Sequence, residues 1–120
     1  MGQTRGRLST HVLDTSTGRP AAGMRIDFSV RDGDKWRLIR TVEANADGRT
    51  DAPLLAGAAF AAGTYELVFH MGDYFRATGL TLAEPPFLDV IPLRFAMAAD
   101  GHYHVPLLAS PFSYSTYRGS

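Results

Sequence analysis

The sequence predicts an all-β sandwich made of short strands. Apolar and polar side chains alternate along several segments, most strictly over residues 25–31, where Ile26, Phe28 and Val30 share one face. Turn signals containing Gly, Asp or Pro separate these segments and give roughly seven or eight strands, as in β-sandwiches. Because the chain has 120 residues, a single domain over residues 1–120 is expected.

The first half of the chain contains three predicted strands, which cover residues 8–13, 25–31 and 36–44. The second and third of these strands form a hairpin, because an Asp-Gly pair lies between them. Loops are predicted at residues 14–20, 31–34, 45–49 and 52–63. The last of these loops is rich in Ala and Gly, and its lack of an apolar stripe favours a loop over a weak helix.

The second half contains four predicted strands and one short helix. The strands cover residues 64–70, 87–96, 102–108 and 112–117. Asp73 is predicted to cap a helix over residues 74–78, which Gly79 ends. The last two strands are expected to form a hairpin around Ser110 and Pro111.

The charge and cysteine content exclude several classes of protein. Twelve Lys and Arg balance twelve Asp and Glu, whereas nucleic-acid binders and polybasic membrane-binding proteins carry an excess of basic residues. With no cysteine, the chain has no disulfide and no thiol nucleophile. No segment approaches the roughly 20 apolar residues of a membrane helix, and the first residues do not resemble a signal peptide, so a cytoplasmic protein is expected.

Strand alternation predicts which way the histidines point. In the first strand Leu8 and Val12 form the inward apolar pair, so His11 faces the opposite side. The same alternation turns two further histidines away from the core, His102 and His104. A single exposed histidine usually has no role, but apolar and aromatic residues share these outer faces. This mixture indicates a surface covered by another subunit, where a partly dry imidazole is suited to act as a base.

The histidine pair at i and i+2 also permits a zinc site. His102 and His104 share a strand face, and His11 is a third candidate ligand, as in three-histidine zinc hydrolases. This spacing is weak evidence without a neighbouring acid or thiol, so no metal is predicted. His70, at a strand end, is interpreted as structural or solvated.

Arg49 and the serines leave alternatives open. Arg49 follows an Asp-Gly turn, where most arginines are solvated, but its guanidinium also suits a clamp for an anion or carbonyl. Ser9, Ser113 and Ser115 are candidate nucleophiles, yet neither a Gly-x-Ser-x-Gly motif nor an evident acid partner accompanies them. Water is therefore the preferred nucleophile.

Three separated motifs resemble the transthyretin-related 5-hydroxyisourate hydrolases. Residues 102–120 end in Tyr-Arg-Gly-Ser, which is similar to the ending of this family. Residues 8–14 and 18–21 are similar to the family's first strand and loop, and residues 47–50, Asp-Gly-Arg-Thr, match a further family block. The motifs occur in the family's order and span nearly the whole chain.

The resemblance implies a transthyretin-like β-sandwich of two four-stranded sheets with one short helix. It implies a homotetramer, a dimer of dimers, with active sites at the dimer–dimer interface. The implied reaction converts 5-hydroxyisourate to 2-oxo-4-hydroxy-4-carboxy-5-ureidoimidazoline during urate degradation to allantoin, without a cofactor. The family's site residues fall on His11, Arg49, His104, Tyr117, Arg118, Gly119 and Ser120.

The expected mechanism is hydrolysis by activated water. His11 or His104, as a neutral imidazole, takes a proton from the attacking water, and the sequence leaves open which of the two does so. The other histidine or Ser120 protonates the leaving nitrogen, and Arg49 stabilises the negative oxygen. Tyr117 and Arg118 are expected to bind the substrate.

Two other functions fit the same fold. One is a small-molecule carrier like transthyretin. The resemblance favours the hydrolase, because this chain has the hydrolase motifs, which the carrier lacks. The other is a structural or adhesion module, which would leave the histidines and the chain ending unexplained.

Overall fold

A computed structural model of the protein describes residues 6–98 and 101–119. Within these residues there are eleven β-strands, one α-helix, α1 (Met71–Ala77), and a 3-10 turn at Gly57–Ala59. The strands are β1 (Arg7–Ser9), β2 (Val12–Asp14), β3 (Arg19–Pro20), β4 (Arg25–Asp32), β5 (Lys35–Glu43), β6 (Leu55–Ala56), β7 (Gly63–His70), β8 (Val90–Met97), β9 (His102–His104), β10 (Leu107–Ser110) and β11 (Ser113–Thr116).

The strands form a sandwich, as predicted. One four-stranded sheet has the order β5-β4-β7-β8 and the other has the order β11-β10-β2-β3. A three-stranded sheet, β6-β1-β9, was not predicted and extends the second sheet. Alternating apolar side chains of these strands fill the core, and its largest fully buried members include Phe28, Phe69, Phe75, Leu8, Leu67 and Leu107.

Two predicted strands are each divided in two, which corrects the sequence prediction. Residues 8–13 become β1 and β2, and residues 102–108 become β9 and β10. β1 pairs in parallel with β9, and β2 pairs in parallel with β10. Backbone bonds from Val105 to Ser9 (2.9 Å) and from Leu107 to His11 (2.9 Å) continue this pairing across the gap. The two paired segments of the chain thus turn together from one sheet into the next. They do so at a strand junction formed by residues 10–11 and 105–106.

The helix begins earlier than predicted. It starts at Met71, directly after β7, because Met71 and Phe75 lie on one face and both are buried. Asp73 therefore does not cap the helix; it lies in the first turn and pairs with Arg76 at 3.2 Å. With seven residues, this helix is the longest in the described part of the chain, where no helix is long and apolar enough to cross a membrane.

The strand predicted over residues 87–96 is shorter at its start. β8 begins at Val90, because the backbone carbonyl of Asp89 accepts a bond from Gly72 at the start of α1 (2.8 Å). Phe87 is left outside the sheet and is 72% exposed. The segment 52–63 is mainly irregular, as predicted, apart from β6 and the 3-10 turn.

His70 has a structural role, which agrees with one of the two interpretations of the sequence. Its Nε2 lies 2.8 Å from Oδ2 of Asp27 on the outer face of the β4–β7 pair. Burial raises the pKa of Asp27, but hydrogen bonds from His70, Thr41 and Arg25 outweigh it, and the net effect lowers the pKa. His70 is thus committed to a local carboxylate.

Candidate functional site

Two of the outward-facing histidines meet at the strand junction. His11 directly precedes β2, and His104 is the last residue of β9. Their ring centroids are 6.5 Å apart, with the ring planes tilted by 40°. Both side chains are half-buried, while Leu8 and Val12, which point to the opposite side from His11, are fully buried. The alternation seen in the sequence therefore places the two imidazoles side by side outside the core.

Ser9 fixes the orientation of the His104 ring. Its Oγ lies 2.8 Å from Nδ1 of His104, the residue opposite it in the parallel pair β1–β9. This bond holds one ring nitrogen, so that Nε2 is the nitrogen available to water or substrate. Ser9 thus acts as a partner of the imidazole, a contact that the sequence did not reveal.

Arg49 is brought to the histidines by its turn. The backbone of Arg49 forms an antiparallel bridge with His11. Asn45 closes the turn, because its side-chain oxygen accepts bonds from the backbone N–H of Asp47 (2.9 Å) and of Arg49 (3.1 Å). The turn therefore delivers an exposed guanidinium beside an imidazole, as an anion or carbonyl clamp requires.

Gly48 allows this close approach. Its φ is +76°, and a Cβ at this position would lie 2.5 Å from the carbonyl oxygen of Val12 and 3.2 Å from Cδ2 of His11. A side chain here would be strained by the backbone conformation and would also displace the strand that carries His11.

Gly48→Ala is expected to lower the free energy of unfolding by about 1–3 kcal/mol, measured by urea denaturation. Gly18→Ala is the matched control, because Gly18 has a similar φ of +73° but no atom within 4 Å of its Cβ position. The control should lose only about 1 kcal/mol from the backbone conformation. Equal losses in the two variants would contradict a steric role for Gly48.

The end of the described chain packs against His104. Gly119 and His104 form an antiparallel bridge, in which the Gly119 N–H donates to the His104 carbonyl at 2.7 Å. A Cβ on Gly119 would lie 3.0 Å from Cδ2 of His104, so a larger residue would press on the imidazole. Ser120, a predicted site residue, lies outside the described residues.

The predicted residues Tyr117 and Arg118 lie beside a neighbouring cavity. The Arg118 guanidinium sits 4.1 Å from the centroid of the Tyr103 ring, and its Nη2 donates to the His102 carbonyl at 3.4 Å. Tyr117 and Arg118 line a cavity of about 270 Å³ next to β8. Tyr103 lines both this cavity and the one in front of His104, so it separates the two groups of predicted residues.

The cavity in front of His104 has a volume of about 300 Å³ and is lined by Arg7, Ser9, Arg49, His102, Tyr103 and His104. The fold of a single subunit therefore brings together four of the predicted site residues, namely His11, Arg49, His104 and Gly119. Arg7 and Tyr103 were not predicted as site residues, and Ser9 was considered only as a candidate nucleophile. The sequence position of Arg7 and Ser9 could have indicated them. They lie four and two residues before His11, and strand alternation places all three on one face.

The electrostatics favour a neutral His104. Burial lowers the pKa of His104, and the electrostatic effects of the neighbouring Arg49 and His11 lower it further. The imidazole is therefore unprotonated at neutral pH and able to accept a proton from water.

The pKa of His104 is expected to lie below 6.5 and to rise when Arg49 is replaced by methionine. Below this pKa the ring is protonated and cannot act as a base, so turnover should fall as the pH drops through it. NMR titration of the histidine ring protons in the wild type and in Arg49→Met measures both values. An unchanged or lower pKa in the variant would contradict the effect of the guanidinium.

The three histidines considered as zinc ligands are not grouped as a set of three metal ligands in the structure. Among residues 6–98 and 101–119, no group of three His, Cys, Asp or Glu side chains is placed to hold a metal ion. In this geometry His104 is bonded to Ser9, and His102 is exposed. The arrangement is that of imidazole and guanidinium groups around a small cavity.

Known sequences match this chain over nearly its full length. The HIUase/Transthyretin family matches residues 8–119. The 5-hydroxyisourate hydrolase 2 of Rhizobium meliloti (strain 1021) is 65% identical over 116 residues, which cover 96% of this chain and 97% of that protein. The family match therefore includes every residue that lines the cavity except Arg7, which directly precedes it.

Two solved structures show the same fold. An (S)-allantoin synthase superimposes with a TM-score of 0.92 at 46% identity and covers 98% of this chain, which corresponds to only 44% of that longer chain. Sea bream transthyretin in complex with thyroxine superimposes with a TM-score of 0.83 at 32% identity and covers 94% of each chain. The fold is thus found in proteins of different function, and the site residues must distinguish them.

Proposed function

The chain belongs to the HIUase/Transthyretin family, and we propose that it hydrolyses 5-hydroxyisourate to 2-oxo-4-hydroxy-4-carboxy-5-ureidoimidazoline. The observation that carries this proposal is a cavity lined by Arg49 and His104, with His11 beside both of them. The 65% identity to a protein named 5-hydroxyisourate hydrolase 2 supports the substrate. The reaction belongs to the degradation of urate to allantoin.

In the proposed mechanism His104 is the general base. Its Nδ1 is held by Ser9, and its lowered pKa keeps Nε2 free to take a proton from water. The water oxygen attacks the lactam carbonyl, and the N–H groups of Arg49 stabilise the negative oxygen that forms. The C–N bond then breaks, and the leaving nitrogen takes a proton from His11. The proton that His104 took from water restores His11 and completes the turnover.

The C-terminal residues belong to the same proposal. Gly119 is fixed beside His104, which supports a position near the substrate for the adjoining Arg118. We propose that Ser120 assists protonation of the leaving nitrogen. Tyr117 and Arg118 then bind the substrate from the neighbouring side of Tyr103.

The test is a coupled assay with urate oxidase, which generates 5-hydroxyisourate from urate. Its absorbance decay is followed with and without this protein. Faster decay that is proportional to protein concentration is expected. A decay rate equal to the spontaneous one would contradict the proposed function, provided that the protein is folded by circular dichroism.

We further propose a cytoplasmic homotetramer, a dimer of dimers. β8 and β11 are edge strands of the two four-stranded sheets, so their outer backbone groups can pair with a second copy. The exposed aromatics Phe112, Tyr114 and Tyr117 (75%, 42% and 59% exposed) support a covered surface near the site. Sedimentation equilibrium should give four times the 13.0 kDa chain mass. A monomer at micromolar concentration would contradict this assembly.

A carrier function is the second candidate, because transthyretin shares the fold at a TM-score of 0.83. The hydrolase is favoured because the identity to transthyretin is 32%, against 65% to the hydrolase relative. Calorimetric titration with thyroxine decides between them. Tight binding without acceleration of 5-hydroxyisourate decay would favour the carrier.

A further inference from the structure

Arg7 shares a strand face with the proposed catalytic group. Leu8, Thr10 and Val12 are buried, so the residues that alternate with them, Arg7, Ser9 and His11, lie on the opposite face. In the parallel pair β1–β9, Arg7 lies opposite His102 and Ser9 lies opposite His104. Arg7 is therefore about 7 Å along the strand from the serine that holds the imidazole.

The Arg7 side chain lines the same cavity as Arg49 and His104. Within residues 6–98 and 101–119, the arginines that pair with carboxylates are Arg25, Arg37, Arg76 and Arg94. No carboxylate of these described residues pairs with Arg7 or Arg49. Both guanidiniums keep their donors available for a ligand in the cavity.

Arg7 and Arg49 are attached at opposite ends of one row of residues. The backbone of Arg49 is bridged to His11, and Arg7 lies four residues before His11, an interval of at most about 13 Å because the chain turns between β1 and β2. Allowing for the length of the arginine side chains, this interval suits a bicyclic substrate. Its reacting carbonyl would lie near Arg49 and His104, and its other ring would extend towards Arg7.

We propose that Arg7 is a substrate-binding residue whose guanidinium donates hydrogen bonds to a urea-type carbonyl oxygen on the non-reacting ring. This inference rests on the proposed function, because it uses the substrate of that reaction. The non-reacting ring keeps its bonds while water adds across the C–N bond of the other ring. The contact with Arg7 is therefore equally strong before and during the reaction, and it supports substrate binding rather than the chemical step.

Steady-state kinetics of Arg7→Gln in the urate oxidase-coupled assay test this proposal. KM should rise about tenfold while kcat stays within about threefold of the wild type, as expected when uniform binding is lost. Arg7→Lys keeps the charge without the fork of donors and should raise KM about threefold. Arg37→Gln is the matched control, because Arg37 is an exposed arginine on β5 of the other sheet. It should behave like the wild type.

The outcomes separate this proposal from the proposed function. A wild-type KM in Arg7→Gln, or a loss of kcat at unchanged KM, overturns the role of Arg7 while turnover by the wild type keeps the hydrolase assignment. An equal rise of KM in Arg37→Gln also overturns it, since the effect would then be one of general charge. Failure of the wild type to accelerate decay overturns both proposals. Should Arg7→Gln not fold, a wild-type KM in Arg7→Lys overturns the role of Arg7.

Discussion

Replacing His104 with alanine is expected to lower kcat for 5-hydroxyisourate by roughly a hundred- to ten-thousand-fold, which is the usual contribution of a general base. In the proposed mechanism the imidazole takes the proton of the attacking water, and no carboxylate among the cavity residues can replace it. His11→Ala should also lose most of its turnover, because the leaving nitrogen then lacks its acid. The coupled assay measures both losses.

His102→Ala is the comparison variant for this prediction. His102 lies two residues before His104 on the same face of β9, but its side chain is exposed, and Ser9 pairs with the other histidine. Its loss should change kcat by no more than a few fold. The fold of each variant is checked by its melting temperature. Full activity in both His11→Ala and His104→Ala would contradict the catalytic assignment.

Arg49→Met is expected to lower kcat by about a hundredfold, the typical cost of removing one donor to a negatively charged oxygen in the transition state. The methionine fills similar space but offers no N–H group. The backbone bridge to His11 and the turn at Asn45 do not depend on the guanidinium, so the fold should be retained.

Arg49→Lys separates charge from geometry. Lysine carries the charge without the planar fork of donors, and an intermediate loss of about tenfold is expected. A loss confined to KM in Arg49→Met would show that the residue binds the ground state and transition state equally, which contradicts its role in stabilising the oxyanion.

The local pattern of the sequence predicted most of the fold. Alternation in residues 25–31 and 64–70 placed β4 and β7 correctly as strands. It did not predict the burial of Ser29 and Glu66, which were expected on the solvated face. The division of the first strand into β1 and β2 was not predictable in this way. It depends on which strand lies opposite, and that partner is about 95 residues away, as the Ser9–His104 bond illustrates.

For the candidate site, too, the features set by local sequence were predictable and those set by distant residues were not. The outward direction of His11 and His104 was predicted from alternation, and the structure agrees. The Ser9–His104 contact, the cavity in front of His104 and the separation of Tyr117 by Tyr103 arise from tertiary packing. Tertiary packing also explains the wrong prediction for Asp73. The local sequence favoured Asp73 as the helix cap, but burial of Met71 and Phe75 makes the helix start at Met71.

The alternation along residues 7–12 also determines which mutations are compatible with the fold. Substitutions at Arg7, Ser9 and His11 alter the outer face and leave the buried neighbours Leu8, Thr10 and Val12 in place. Insertion or deletion of a single codon before His11 would exchange the two sets, driving a guanidinium and an imidazole into the core while exposing its apolar residues. We therefore expect natural variants of this segment to differ by replacement of residues and not by gaps.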